Sequence, residues 1–328
     1  MRAARVTTLD GPGHVIVDAD VAEPTLTPGH VLVDVYEAGV NFPDVLMSKG
    51  LYQMRPELPF VPGSECAGVV REAAPHSIFR PGDRVAAFPV LGAFAETVSV
   101  PEAMVFPLPD AVSFEAGAAL PMNYLTVQFA LDRRARLERG EDVLVHGAAG
   151  GIGTAAIQVA RAMDARVIAV VSSADKIETA RAAGAHHVVM ADGFLAAAKE
   201  LTGGRGVDVV VDPVGGDRFT DSLRCLAPEG RLLVIGFTAG QIPEVKVNRL
   251  LLGNTSVVGV GWGAFWQHRP EFLREQWEAI VPLLEQGLLD PPIGSRHPLD
   301  DVVGALTEID ERRARGKVTL TVRTIQGA

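Results

Sequence analysis

The amino-acid sequence predicts an α/β protein in which a doubly wound parallel sheet is joined to a smaller β-rich unit. Three observations predict it. Up to about residue 122 the chain alternates apolar and polar residues with a period of two, broken by Pro and Gly. From Asn123 onward, apolar β-branched runs alternate with segments of helix length. One of those runs, residues 142–146, leads straight into a glycine turn. A chain of 328 residues, 48% apolar and 21% charged, can bury the cores of two such units.

In the first third, Val15-Ile16-Val17 and residues 30–38 read as short strands. Val61-Pro62-Gly63-Ser64-Glu65 turns the chain before Ala67-Gly68-Val69-Val70, and residues 79–85 hold a second Pro-Gly corner, where proline fixes φ and glycine accepts positive φ. After the change of rhythm, helices are predicted over 124–131, 154–163, 175–183, 193–201 and 218–226. Strands are predicted over 142–146, 166–171, 188–190, 207–211, 231–237 and 256–260. A helix over 270–285 should be kinked or shortened by Pro282, which lacks an amide donor. A helix over 300–312 and a strand over 317–322 close the chain in the mixed style of its beginning, so both ends are expected to build one unit.

Composition narrows the function. The net charge of −10 is spread without a long basic run, which argues against a nucleic-acid surface. No stretch of 18 apolar residues and no N-terminal apolar run is present, so no membrane span is expected and a cytoplasmic location follows by default. The two cysteines, Cys66 and Cys225, lie in apolar company and are too few for a four-cysteine zinc site. No H-E-x-x-H, close cysteine pair or G-x-S-x-G occurs, and the adjacent His186-His187 reads as loop; no metal is expected, and simple hydrolysis has no carrier.

The strongest local signal is Gly147-Ala148-Ala149-Gly150-Gly151-Ile152-Gly153 after an apolar strand and before an alanine-rich helix. Such a turn brings a pyrophosphate against backbone amides at the positive end of the helix, and Ala148, Gly150, Gly151, Ile152 and Gly153 are the expected contacts. Alanine in the first slot weakens the string as G-x-G-x-x-G; its place in a βα repeat restores it. About 20 residues after such a turn, an NAD site offers an acid to the ribose. Here the chain reads Ser172-Ser173-Ala174-Asp175-Lys176, with no acid in the serine pair and a lysine suited to a 2′-phosphate, although Asp175 is equally suited to cap a helix. NADPH is the expected cofactor. Elsewhere, Asn41, Asp44 and Tyr52 gather in a short polar stretch; alone they read as turn residues, with Tyr52 able to donate to an oxygen that gains charge.

Several strings then agree in order: Val40-Asn41-Phe42-Pro43-Asp44, Leu58 through Glu65, Arg80-Pro81-Gly82-Asp83-Arg84-Val85, the glycine turn, Asp212-Pro213-Val214-Gly215-Gly216, and Arg315-Gly316-Lys317-Val318. Over nearly its whole length the chain resembles the zinc-lacking, zeta-crystallin-like quinone oxidoreductase branch of the medium-chain dehydrogenase/reductase superfamily. The resemblance implies a GroES-like catalytic domain at 1–122 and 261–328 around a Rossmann domain at 123–260. It implies an NADPH-dependent enzyme passing hydride to a quinone or to the activated double bond of an enone. An enoyl-thioester reductase, or a nucleotide-binding structural or regulatory protein with little turnover, is the alternative.

By the same resemblance, Asn41, which stands near a metal-ligand cysteine of zinc-using relatives, lines the acceptor pocket with Asp44 and Tyr52. Thr126 lies beside the nicotinamide, and Lys176 meets the 2′-phosphate with Ser172 and Ser173. Lys317 counts among the cofactor contacts. Where the family often carries a tyrosine this chain has Ala191, so Arg181 is expected to assist Lys176. Trp262, Phe265 and Trp266 either line or plug the acceptor site. A homodimer joined through the nucleotide domains is implied, with residues 250–260 as the candidate seam.

Overall fold

The computed structural model describes residues 1–324. It forms two units: one comprises, of the described residues, 1–122, 270–285 and 291–324, the other 123–269 and 286–290. The second unit holds a six-stranded sheet, all of whose pairs are parallel. In chain order its strands are Asp142–Val145, Arg166–Val171, His187–Met190, Val207–Asp212, Leu226–Val234 and Ser256–Gly259. Across the sheet they lie third, second, first, fourth, fifth, sixth, the doubly wound dinucleotide-binding order. The central strands are continuous apolar runs such as Val143-Leu144-Val145 and Val209-Val210-Val211, fully buried because helices cover both faces.

Boundaries differ from expectation where glycine or proline decides them. The helix after the first strand begins at Gly151, not at Thr154, and runs Gly151–Ala162. The last glycines of the turn therefore supply its first coil, and the Thr154 hydroxyl donates back to the Gly150 carbonyl at 3.1 Å. Residues 124–131 do not form one helix: Pro121–Gln128 is α-helical, and Phe129–Ala135 widens into a π-type turn. His187 opens the third strand, whereas His186 stays in the bend before it, where its imidazole accepts the Val167 amide at 2.9 Å. Trp262–Trp266 forms a short helix of the nucleotide unit, where Phe265 meets Phe129 at 5.0 Å, so the return to the first unit falls at Pro270 and not at 261.

The first unit contains a seven-stranded sheet. Its central strand His30–Val40 pairs antiparallel with Glu65–Ala73, with Thr97–Pro101 and with Lys317–Thr321. The helix Glu271–Glu285 continues through Pro282. It buries Phe272, Leu273, Trp277, Ile280 and Leu284, and Trp277 stacks on Phe106 at 4.8 Å, a burial that outweighs one missing hydrogen bond. Cys66 and Cys225 are fully buried free thiols of the two cores.

Candidate functional site

Each unit carries a candidate site of its own. In the nucleotide unit, the first strand ends at Val145 and Gly150 caps the following helix with extended backbone. The amides of Gly151, Ile152 and Gly153 form the first turn of that helix, where N–H groups have no intrahelical partner and the dipole favours an anion. Gly153 admits no side chain: a Cβ there would stand 2.2 Å from the Gly147 carbonyl oxygen. Ala148 and Ala149 are buried beneath the turn. Beside it lies the loop after the fourth strand, where the Asp212 carboxylate accepts the amides of Val214 and Gly215, each at 2.9 Å. The loops of the first and fourth strands thus meet at the carboxyl edge of the sheet, the switch point where ligands of this fold bind. Asp212 was legible only as part of a family string; its role as a loop former needs the fold.

At the end of the second strand, Ser172 is exposed, and Ser173 and Lys176 are half-buried in a turn with no acid in the serine pair. Thr126 is almost buried on the helix Pro121–Gln128. Ala191 is also buried, its amide bonded to the Val171 carbonyl at 2.8 Å, and its methyl packs in the core where a tyrosine would offer a hydroxyl. Arg181 was expected to assist Lys176. It lines a depression of about 460 Å³ with His186, His187, Val188 and Val189 along the outer edge of the third strand. It stands in the last turn of the helix Ile177–Ala182.

One further polar group is buried under the nucleotide turn. The Ser222 hydroxyl donates to the Arg218 carbonyl, so the His146 Nε2–H donates to Ser222 at 2.8 Å. His146 Nδ1 then holds a lone pair with no hydrogen-bond partner among the described residues. Burial, with the nearby Arg218 charge, brings this imidazole down to about 3, and it is neutral at physiological pH.

In the first unit, strand register assembles the polar cluster. Val318 pairs with Val40 and Gly39 with Glu65, so the same register carries Lys317 opposite Asn41. The Lys317 ammonium donates to Asn41 Oδ1 at 2.7 Å and to Glu65 Oε1, forming an ion pair whose side chains are 3% and 0% exposed. Asn41 Nδ2 donates to the same Glu65 oxygen at 2.7 Å and lies 3.3 Å from the Ser64 hydroxyl. Gly39 leaves room for this cluster: a Cβ would stand 2.2 Å from the Ala118 carbonyl and 2.7 Å from Glu65 Oε1.

Lys317, expected among the cofactor contacts, is in this structure the buried counter-ion of Glu65, a residue absent from the expected site residues, in the same cluster as Asn41. The signal was present as a charge opening each of two strands, Glu65 before the apolar run Cys66–Val70 and Lys317 before Val318, which burial obliges to pair.

Asn41 also begins the helix Phe42–Ser48, and its backbone N–H donates to Asp44 Oδ2 at 2.8 Å. Asp44 is completely buried, and its Oδ1 has no hydrogen-bond partner among the described residues and is shielded from solvent. Burial pushes its carboxyl up to about 7 against the opposing pull of the Asn41 amide and the Lys317 charge. Tyr52 is half-buried against the same core, and burial followed by the negative charge of Asp44 raises its phenol above the usual range. The structure thus gathers Asn41 and Asp44 around Lys317 and Glu65, with Tyr52 close enough to feel Asp44. Asn41 has its amide spent inside the protein, and Asp44 is enclosed. Tyr52 is the member of the expected trio left partly exposed.

The cluster does not fit a zinc ion. Both polar ends of the Asn41 side chain are committed, an ammonium lies 2.7 Å from its oxygen, and among the described residues no group of three His, Cys, Asp or Glu could hold a metal.

A doubly wound sheet with a glycine turn, joined to a mostly antiparallel β unit with a buried polar cluster, defines a two-domain nucleotide-dependent dehydrogenase or reductase. Comparison agrees: residues 27–110 match the alcohol dehydrogenase GroES-like domain and residues 151–286 the zinc-binding dehydrogenase domain. The chain is 40% identical to the rat quinone oxidoreductase-like protein 2 over 326 residues, covering 98% of this chain and 92% of that protein. A probable oxidoreductase from Mycobacterium abscessus superposes with a TM-score of 0.91 at 45% identity, covering 98% and 99% of the two chains. The Escherichia coli quinone oxidoreductase complexed with NADPH superposes with a TM-score of 0.90 at 29% identity, covering 98% and 100%. The protein belongs to the quinone oxidoreductase family of the medium-chain dehydrogenase/reductase superfamily and is an oxidoreductase.

Proposed function

We propose that this oxidoreductase is NADPH-dependent and zinc-independent, and that it delivers hydride to a quinone or to the activated carbon-carbon double bond of an enone. The observation that carries the reading is the polar cluster of the first unit: it is organised by a lysine-glutamate pair where a metal would find no ligands, and Tyr52 is half-buried and close enough to feel Asp44. The likeness to the NADPH-complexed relative and the Ser172-Ser173-Ala174-Asp175-Lys176 sequence support the cofactor. The residues present fit that cofactor: the amides of Gly151, Ile152 and Gly153 would meet its pyrophosphate, and Lys176 with Ser172 or Ser173 its 2′-phosphate. Thr126 would lie beside the nicotinamide. Bound NADPH supplies the hydride. The protein orients it, and Tyr52 stabilises or protonates the oxygen on which negative charge collects.

Steady-state kinetics test the reading. Tyr52→Phe should lower kcat with 1,4-benzoquinone or a small enone about tenfold to a hundredfold, with NADPH affinity nearly unchanged. Activity confined to crotonyl-CoA would favour the enoyl-thioester reductase. No turnover on any acceptor, with NADPH still bound, would favour the regulatory reading.

The proposal extends to a cytoplasmic homodimer. Among the described residues no helix is long and apolar enough to cross a membrane. The sixth strand is an edge of the sheet, and Leu251 and Leu252 just before it are 77% and 80% exposed, an apolar surface that a second copy would cover. Leu251→Asp/Leu252→Asp should give a monomer by light scattering, and cell fractionation tests the location.

A further inference from the structure

Glu65 precedes the run Cys66-Ala67-Gly68-Val69-Val70, and Lys317 opens a strand that continues Val318-Thr319-Leu320. Buried charges in such strands are costly unless each is paired and its remaining hydrogen-bonding capacity is used. Here that capacity is spent on two helix starts. Glu65 Oε2 accepts the amide of Met122 at 2.7 Å, and Met122 is the second residue of the helix Pro121–Gln128. Proline at its first position has no N–H, so the Met122 amide is the first donor of that helix, and a carboxylate there also favours the positive end of its dipole. Glu65 Oε1 holds the Asn41 amide and the Lys317 ammonium, which in turn holds Asn41 Oδ1, so both ends of the Asn41 side chain are fixed where the helix Phe42–Ser48 begins.

We infer that Lys317 and Glu65 are positioning residues for hydride transfer: one buried ion pair fixes the first turn of the helix that carries Thr126 and the residue that starts the helix carrying Asp44. Both act through the residues they hold and not on the reacting atoms. Their charges also act on Asp44 in opposite senses, the ammonium favouring the carboxylate and Glu65 the neutral acid.

The inference rests on the reductase reading, and the test separates the two. The full-length protein and its variants are compared by melting temperature, NADPH titration, the fluorescence emission of bound nicotinamide, and kcat and KM with 9,10-phenanthrenequinone. Lys317→Met strands a buried carboxylate and should melt well below the parent. Lys317→Met/Glu65→Leu removes both charges, a replacement that buried pairs commonly tolerate. It should regain stability, yet keep an altered nicotinamide emission and a kcat lowered about tenfold to a hundredfold, the loss expected of misplaced reactants. Lys317→Arg keeps the charge but changes the donor geometry, and should fold with NADPH affinity intact and kcat reduced at unchanged KM. Parental kcat and emission in Lys317→Arg, or in a stable double variant, would show that the pair serves stability alone. Failure of the parent protein to reduce the quinone would count against the reductase reading, while the emission of bound nicotinamide would still decide the role of the pair.

Discussion

The candidate sites of the two units reach a similar tightness by different means. At Gly153 the unit with the parallel sheet leaves 2.2 Å between an imagined Cβ and the Gly147 carbonyl; at Gly39 the mostly antiparallel unit leaves 2.2 Å to the Ala118 carbonyl. In the first case the space is closed by backbone six residues away in the same turn. In the second it is closed by chain from elsewhere, and the cavity so defined holds side chains from positions 41, 65 and 317. A backbone site presents amides and binds an anion of any nucleotide. A side-chain site presents charge, and its behaviour depends on the protonation of each member.

The most damaging change in either unit should therefore be a single methyl group. Gly153→Ala and Gly39→Ala should each cost about 1 to 3 kcal/mol of stability from overpacking. Their functional effects should separate. Gly153→Ala should weaken NADPH binding at least tenfold in a fluorescence titration, because it displaces the amides proposed to meet the phosphates, whereas Gly39→Ala should spare NADPH and lower kcat, because it pushes on Glu65. Equal loss of NADPH affinity in both variants would break the distinction.

A smaller effect is expected at Lys176. A charge-assisted contact to phosphate contributes about 1.5 to 3 kcal/mol, so Lys176→Ala should reduce NADPH affinity about ten- to a hundredfold and leave NADH nearly untouched. Arg181→Ala, whose side chain lines the outer edge of the third strand, should leave both affinities near the parent value. A matching loss at Arg181 would return it to the phosphate site.

In pH dependence the two units oppose each other. The Asp44 carboxyl sits at about 7, above an unfolded value near 4, so the folded protein keeps a proton that the unfolded chain has lost. Its contribution to stability falls as pH rises through that window. His146 sits at about 3, below an unfolded value near 6.5; the unfolded chain takes up a proton first, and stability falls as pH drops through that window. In denaturant titrations from pH 4 to 8, Asp44→Asn should flatten the loss toward alkaline pH and His146→Phe the loss toward acid. Each slope is limited to about 1.4 kcal/mol for every pH unit crossed inside the window. Parallel curves for the parent and both variants would show that neither group is enclosed as described.

The sequence determined the nucleotide unit almost completely. Continuous valine and leucine runs demand a sheet covered on both faces, and the spacing of Gly147, Gly150 and Gly153 demands a turn that meets a helix closely; these are local constraints, written within a few residues of one another. It also named Asn41, Asp44 and Tyr52 as a polar group. Only the tertiary structure decided what that group is. The pairing of Lys317–Thr321 with His30–Val40 brings together residues separated by 276 positions, and no local pattern specifies that register. The same pairing buried Lys317 beside Asn41 and made Glu65 its partner. The end of a helix placed Arg181 on the outer edge of the sheet. Backbone conformation is set by neighbours in sequence, whereas a buried charge is satisfied by whichever partner the folded sheet delivers.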